Sequence, residues 1–250
     1  MMIHSFLLIG QSNMAGRGFL SEAHEIDGSN IRILRNGRWQ PFFRPVQPDR
    51  AFAGVSLAES FAEKYASEHG VTVGLIPCAD GGTSLDQWKR GSLLFDNATY
   101  CSRLALRTSN IAGVLWHQGE SDSFGGKQHV YGEKLADIMH GLRHELSLED
   151  VPFILGGLGD YLINCRNGAF KEYFTVNEAL KSYAEKTPMT GYAEASGLLP
   201  NPDNLHFSAA SLYEFGLRYY EVFKTLENKN KIFADKPDDD TAVRGELEAL

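Results

Sequence analysis

Short runs of β-branched and aliphatic residues alternate along the chain with longer segments in which apolar residues recur at helical spacing. This alternation is typical of a parallel sheet covered by helices, because each crossover between parallel strands needs a connection as long as a helix. The predicted strands are Phe6–Ile9, Val71–Ile76, Ile111–Trp116, Pro152–Leu158 and Thr190–Glu194. The predicted helices are Val55–Glu68, Ala98–Thr108, Lys127–Glu145, Phe170–Tyr183 and Ala209–Leu226. The pattern therefore predicts an α/β fold with a central, mostly parallel sheet of about five strands.

The same pattern shows no internal repeat and no linker between domains, so we expect one catalytic or binding domain over residues 1–227. From about Asn228 onward, charged residues replace the large apolar ones, as in Asp238-Asp239-Asp240. Such a composition favours a charged, mobile C-terminal tail over residues 228–250.

Composition narrows the classes of partner. The net charge is −8, which argues against a nucleic-acid partner because polyanion binders carry basic surfaces. The cysteines number three and have no C-x-x-C spacing, which favours neither a disulfide framework nor a zinc cluster. No segment approaches the roughly 20 apolar residues of a membrane span, and the first residues lack the features of a signal peptide. We therefore expect a cytoplasmic protein without a membrane partner, and predict no oligomeric state.

Polar and glycine-rich residues follow the predicted strands, where the chemistry of parallel sheets gathers. Ser12 lies directly after an apolar strand, in a turn between Gly10 and Gly16 that would expose a nucleophilic hydroxyl. Asp203 and His206 form a D-x-x-H turn in which the carboxylate could orient the imidazole. The plainer alternatives are a serine that caps a helix, and a capping Asp beside a surface His.

Two other loops offer hydrogen-bond donors for an oxyanion. Gly81 and Gly82 permit close backbone approach, and Gln118 carries a side-chain amide. Each of them alone is also ordinary turn chemistry. Glu120 and Asp122 lack companions at metal-binding spacing, so the sequence predicts no metal and no cofactor.

Four motifs occur in one order along the chain, and the combination is far more specific than its parts. They are Gly10-Gln11-Ser12-Asn13-Met14-Ala15-Gly16, Gly81-Gly82-Thr83-Ser84 with Trp88, Trp116-His117-Gln118-Gly119-Glu120-Ser121-Asp122 and Asp203-Asn204-Leu205-His206-Phe207-Ser208. The chain thereby resembles the SGNH hydrolase superfamily, in the carbohydrate-esterase branch that includes sialate O-acetylesterases and acetylxylan esterases. The resemblance extends from Ile3 to Leu226.

This resemblance implies a three-layer α/β/α, flavodoxin-like fold and a serine esterase that needs no metal. It makes Ser12 the nucleophile, His206 the general base and then acid, and Asp203 the residue that orients His206. The backbone N–H groups of Ser12 and Gly81 would form part of the oxyanion hole.

The chain departs from the superfamily at its third motif. The superfamily usually has an Asn in a G-x-N-D sequence there, whereas this chain has His117-Gln118-Gly119-Glu120. Gln118 is then the candidate for the missing oxyanion donor, and Glu120 is a candidate second carboxylate that assists His206. The relative importance of Asp203 and Glu120 stays open at this stage.

The leading hypothesis is hydrolysis of an O-acetyl ester on a small saccharide, either an acetylated xylo-oligosaccharide or an O-acetyl sialic acid. The candidate substrate-binding residues are Gln11, Asn13, Gly82, Trp88, Arg17 and Arg90. Aromatic rings could stack on a sugar, and an arginine could bind a sugar carboxylate. Two alternatives are a broad short-chain acyl esterase or thioesterase, and a carbohydrate-binding protein without turnover.

Overall fold

A seven-stranded sheet organises the protein, of which the structure, a computed structural model, describes residues 2–227. The strands are β1 (Ile3–Gly10), β2 (Ile31–Arg35), β3 (Arg38–Pro41), β4 (Thr72–Pro77), β5 (Ser109–His117), β6 (Phe153–Gly156) and β7 (Thr190–Ala193). They pair in the order β3-β2-β4-β1-β5-β6-β7, and every pair except β2–β3 is parallel. The mostly parallel sheet that the sequence predicts is confirmed, whereas the number of strands exceeds the predicted five.

The two additional strands, β2 and β3, form an antiparallel hairpin at one edge of the sheet. Asn36 and Gly37 connect them, with φ angles of 51° and 69°. An Asn-Gly pair with two positive φ angles is a common hairpin turn. This dipeptide is the sequence signal that could have revealed the hairpin, although the charged residues of the short strands obscure their alternation.

The helices are α1 (Ser12–Ala15), α2 (Ala58–His69), α3 (Leu93–Ala105), α4 (Tyr131–Leu146), α5 (Tyr173–Lys186) and α6 (Ala209–Leu226). The side chains of α3, α4 and α5 bury one face of the sheet, and those of α1, α2 and α6 bury the other. Alternate residues of β1 serve the two faces, with Leu7 in the first core and Phe6 in the second. The architecture is therefore a three-layer α/β/α fold, as expected.

This topology brings the loops that contain the predicted site residues to one edge of the sheet. Strand β1 lies between the parallel strands β4 and β5, so the loops that follow all three strands leave side by side. At the end of β1, Gly10 has a φ of 124°, and a Cβ there would lie 2.0 Å from the carbonyl oxygen of His117. Only glycine fits this close crossing, which turns the chain sharply into α1 and places Ser12 at its first residue.

Within residues 2–227, no helix is long and apolar enough to cross a membrane. The tail predicted for residues 228–250 lies outside the described residues.

Candidate active site

Ser12, His206 and Asp203 form a hydrogen-bonded line across two loops that are distant in sequence. The Oγ of Ser12 lies 3.0 Å from Nε2 of His206. On the other side of the ring, Nδ1 lies 2.6 Å from Oδ2 of Asp203. With its Nδ1–H bonded to a carboxylate, the imidazole presents Nε2 as an acceptor for the serine proton. The structure thus brings together the three residues that the sequence predicts as nucleophile, base and orienting acid.

Asp203 is held as a carboxylate by its own turn. Its Oδ1 accepts the backbone N–H groups of Leu205 and His206, at 2.9 and 3.0 Å. Burial raises the pKa of Asp203, but these backbone hydrogen bonds and the bond to the His206 ring outweigh it and hold the pKa below its ordinary value. The residue therefore offers a fixed negative charge to His206 at neutral pH.

Asn13 connects the loop that contains His206 to the turn that contains Ser12. Its Oδ1 accepts the N–H of Phe207 at 3.1 Å, and its Nδ2 donates to the carbonyl of Leu205 at 3.4 Å. These two hydrogen bonds hold the backbone on either side of His206. Asn13 is fully buried, so the prediction that it binds substrate is wrong; it holds the loop of His206 instead.

Glu120 accepts a hydrogen bond from Asn13 and has no direct bond to His206 among residues 2–227. Its Oε1 accepts from Asn13 Nδ2 at 2.5 Å and lies 3.3 Å from His117 Nε2. Within residues 2–227, Glu120 makes no hydrogen bond to His206, whereas Asp203 does. Its connection to the loop of His206 runs through Asn13, so any assistance that Glu120 gives to His206 is indirect.

The pKa of Glu120 reflects these partners. Burial raises the pKa, but the attraction of His117 and the hydrogen bonds from His117 and Asn13 outweigh burial and lower it below the ordinary value. Glu120 is thus a buried carboxylate at neutral pH.

Two of the three predicted oxyanion donors are engaged elsewhere. The amide of Gln118, which is fully buried, donates to the carbonyl of Thr83 at 3.0 Å and to Asp122 Oδ2 at 2.6 Å. Both of its N–H bonds are therefore used within the protein. The N–H of Gly81 donates to Asp49 Oδ2 at 2.9 Å. Among the predicted donors, only the N–H of Ser12 has no acceptor in the part of the chain that the structure describes.

Asp49, which no sequence signal singled out, explains both the Gly81 bond and the position of Arg17. Its carboxylate forms a bidentate ion pair with Arg17, at 3.0 and 2.7 Å, and both side chains are buried. The sequence predicts a substrate carboxylate on Arg17, and the structure corrects this because Asp49 already fills the guanidinium fork. Arg17 still lines the cavity that contains Ser12.

Gln11 carries an amide that faces the site without a protein acceptor. Its Oε1 lies 3.4 Å from the backbone N–H groups of both Gly119 and Ser121, which fixes the orientation of the amide. Its Nε2 has no acceptor among residues 2–227, and the side chain lines the cavity that contains Ser12. Gln11 is therefore a polar donor available to a bound molecule.

Ser12 and His206 line a cavity of about 340 Å³, which we name the acyl cavity. Its further walls come from residues without a predicted role, which are Arg50, Phe52, Ser121, Phe124, Arg166, Phe170 and Leu205. Gly82, which is predicted to bind substrate, and Glu120 also line it. Arg17 lines it as well, so three aromatic rings and three arginines give the cavity a mixed apolar and cationic wall.

Two predicted substrate-binding residues lie elsewhere. Trp88 is fully buried, donates its indole N–H to Thr83 Oγ1 at 3.0 Å and packs edge-on against Trp116. Arg90 pairs with Glu145 and lines a separate cavity beside α4. Within residues 2–227, no group of three His, Cys, Asp or Glu side chains is arranged to hold a metal ion.

Residues 2–225 match the family model described as carbohydrate esterase, sialic acid-specific acetylesterase. A probable carbohydrate esterase of Arabidopsis thaliana is 26% identical over 245 residues, which cover 87% of this chain and 89% of the relative. The crystal structure of that Arabidopsis protein superimposes with a TM-score of 0.78 at 28% identity, covering 90% of this chain and 99% of the other.

More distant structures share the fold. NanS has a TM-score of 0.72 at 16% identity, covering 90% of this chain and 97% of its own. A carbohydrate acetylesterase from Xanthomonas citri has a TM-score of 0.68 at 20% identity, covering 90% and 56%.

Proposed function

The chain belongs to the carbohydrate esterase family of sialic acid-specific acetylesterases, and we propose that it removes O-acetyl groups from a sugar through an acetyl-enzyme intermediate on Ser12. Membership of this family makes it a carboxylic ester hydrolase. The observation that carries the proposed mechanism is the 3.0 Å contact between Ser12 Oγ and His206 Nε2, with Asp203 behind the ring at 2.6 Å.

In the first half-reaction, Ser12 Oγ attacks the acetyl carbonyl while His206 Nε2 takes the serine proton. The carbon–oxygen bond to the sugar breaks, and His206 returns the proton to the departing sugar oxygen. In the second half-reaction, His206 removes a proton from water, which attacks the acetyl-serine and releases acetate. Asp203 stabilises the imidazolium in both steps.

The oxyanion needs donors that are free to turn toward it. The N–H of Ser12 stands at the first residue of α1, where backbone N–H groups lack intrahelical acceptors. Gln11 Nε2 is the second donor that we assign, because its amide orientation is fixed by Gly119 and Ser121. Gly82, whose N–H has no acceptor among residues 2–227 and which lines the acyl cavity, supplies a third.

The charges of the acyl cavity favour an acidic sugar over a neutral one. Arg50 pairs with Asp80 in a partly exposed contact at 2.8 Å. Arg166 has no acidic partner among residues 2–227 and lies 5.8 Å from the ring centroid of Phe170. A substrate carboxylate beside Arg166 would gain a charge-assisted hydrogen bond, so an O-acetyl sialic acid is the preferred candidate.

Acetate release tests the activity directly. The substrates are 9-O-acetyl sialic acid, acetylated xylo-oligosaccharides and p-nitrophenyl acetate, each with wild type and Ser12→Ala. We expect release from a sugar that falls at least about 10³-fold in Ser12→Ala. Hydrolysis of p-nitrophenyl acetate alone would favour a broad esterase, and sugar binding without any release would favour a binding protein.

The preference for an acidic sugar as substrate is tested separately with Arg166→Gln. We expect its KM for 9-O-acetyl sialic acid to rise about tenfold while its KM for p-nitrophenyl acetate stays the same. Arg38→Gln, which removes an exposed cation on the edge hairpin, is the matched control. An equal KM for the acidic sugar in both variants would contradict the role of Arg166.

The cytoplasmic location stays a prediction.

A further inference from the structure

A second cavity meets the acyl cavity at the catalytic histidine. It has a volume of about 640 Å³ and shares Arg17, Phe52 and His206 with the acyl cavity. Its other lining residues are Gly18, Phe19, Leu20, Ser21, Ala53, Gly54, Asn201, Pro202 and Asp203. We name it the outer cavity. His206 thus stands at the boundary of two spaces, and only one of them contains Ser12.

This division determines which part of an ester the outer cavity can hold. The acetyl carbon must lie against Ser12 Oγ, and the outer cavity includes neither Ser12 nor the loop of Gly81 and Gly82. An acetyl group has only two carbons and cannot reach past His206 from that position. His206 delivers its proton to the oxygen of the leaving alcohol, so whatever extends into the outer cavity belongs to that alcohol.

We propose that the outer cavity is a subsite for a second sugar ring, glycosidically joined to the sugar that carries the acetyl group. The proposal rests on the function proposed above and specifies its substrate as a disaccharide or longer. Phe19 and Leu20 are each 47% exposed and Phe52 is 69% exposed, so three large apolar side chains face this space or its edge. Such surfaces pack against the carbon-bound hydrogens of a sugar face.

The same walls offer polar groups for the hydroxyls of a sugar. Ser21 and Asn201 line the cavity, and the carboxylate of Asp203 has a side-chain exposure of 48%. Sites for small molecules usually have a mainly apolar lining that contains a few polar groups. The exposed Ser21 hydroxyl and the exposed part of the Asp203 carboxylate can bond the hydroxyls of a sugar, which an aliphatic aglycone lacks, and this favours a sugar as the occupant.

The outer cavity is built in advance by hydrogen bonds among its three walls. Gly18 and Val55 exchange backbone bonds at 3.2 and 2.8 Å, which hold the segment of Phe19 beside the segment of Phe52. Asn201 Nδ2 donates to the carbonyl of Arg17 at 2.8 Å and ties the histidine loop to both. A ligand therefore needs to order little of the protein when it binds.

The ratio of kcat/KM for a longer substrate to kcat/KM for its shorter counterpart tests this subsite. The pairs are monoacetylated xylobiose against monoacetylated xylose, and 9-O-acetyl sialic acid linked to galactose against the free 9-O-acetyl sugar. For whichever pair is hydrolysed, we expect a ratio of about ten or more in wild type. The double variant Phe19→Ser/Leu20→Ser should bring the ratio close to one.

Phe174→Ser is the matched control, because Phe174 is 50% exposed on α5 and lies outside both cavities. We expect it to keep the wild-type ratio. A wild-type ratio near one, or an unchanged ratio in the double variant, would overturn the subsite while leaving the esterase intact. If p-nitrophenyl acetate is cleaved and no sugar is, the proposed function fails and the subsite fails with it.

Discussion

The amide of Asn13 donates to the buried carboxylate of Glu120 over 2.5 Å, and the same amide accepts the N–H of Phe207 next to the catalytic histidine. A residue adjacent to Ser12 is thereby connected to the loop that carries His206, across a separation of 194 residues along the chain. Because proton transfer requires close contact between Ser12 and His206, the stiffness of this connection should control turnover.

Asn13→Ala should therefore lower kcat by about 10²-fold with little change in KM, since a displacement of about 1 Å at the reacting groups costs that much. Steady-state kinetics on p-nitrophenyl acetate measures both constants. Asn177→Ala is the control, because Asn177 bonds both the N–H and the carbonyl of Leu158 in a loop that the catalytic line does not use. If the two variants lost kcat equally, Asn13 would be a structural residue only.

Glu120→Gln should reveal the carboxylate through the pH dependence of stability. The folded-state pKa of Glu120 lies below its ordinary value of 4.5, so its ionised form contributes stability above that pH and loses it as the pH falls through the folded-state pKa. Wild type should exceed Glu120→Gln by about 1–3 kcal/mol in free energy of unfolding at pH 7. Urea unfolding should show this difference shrinking as the pH falls below 4.5; a difference that grows on acidification would contradict the assignment.

The proposed oxyanion donors predict different effects for substitutions of Gln11 and Gln118. Gln11→Ala should lower kcat by about 10²- to 10³-fold without unfolding the protein, because it removes one donor to the developing charge. Gln118→Ala should instead lower the free energy of unfolding by about 1–3 kcal/mol, because Thr83 and Asp122 lose a buried donor. Comparison of kcat and urea midpoints for the two variants checks this, and a larger loss of kcat in Gln118→Ala would return the oxyanion role to that residue.

Asp49→Ala should be the most destabilising of these variants. It leaves the guanidinium of Arg17 buried without its carboxylate, and unpaired buried charges of this kind cost about 3–5 kcal/mol. Asp86→Ala breaks the exposed pair with Lys134 and should cost less than about 1 kcal/mol. Chemical denaturation measures both, and similar losses would show that the buried pair contributes no more than a surface one.

Each half of the line of Ser12, His206 and Asp203 is local in sequence, although the roles of the three residues were predicted only from the combination of motifs. Ser12 follows a strand and a glycine turn, and Asp203 lies three residues before His206, so each half of the site is visible in a short motif. The direction of a side chain within a motif depends on distant partners. Gln118 turns inward because Asp122 and Thr83 accept its amide, and Trp88 turns inward onto Trp116.

The parts of the site that the sequence did not predict also depend on contacts between distant residues. Asp49 follows Pro48 in an irregular segment, and its importance arises only when Arg17 and Gly81 fold against it. The aromatic and cationic walls of the acyl cavity come from loops after several different strands, and no single stretch of sequence shows them together. Predictions from one chain therefore identify the reacting groups more readily than the groups that surround them.

The central claim is that His206 activates Ser12 as the nucleophile, and labelling with a fluorophosphonate followed by peptide mapping tests it most directly. The reagent bonds covalently to an activated serine, so the label should appear on Ser12, esterase activity should fall in proportion to labelling, and His206→Ala should react far more slowly. Full labelling of Ser12 with activity retained, or activity lost through a label on another residue, would contradict the account.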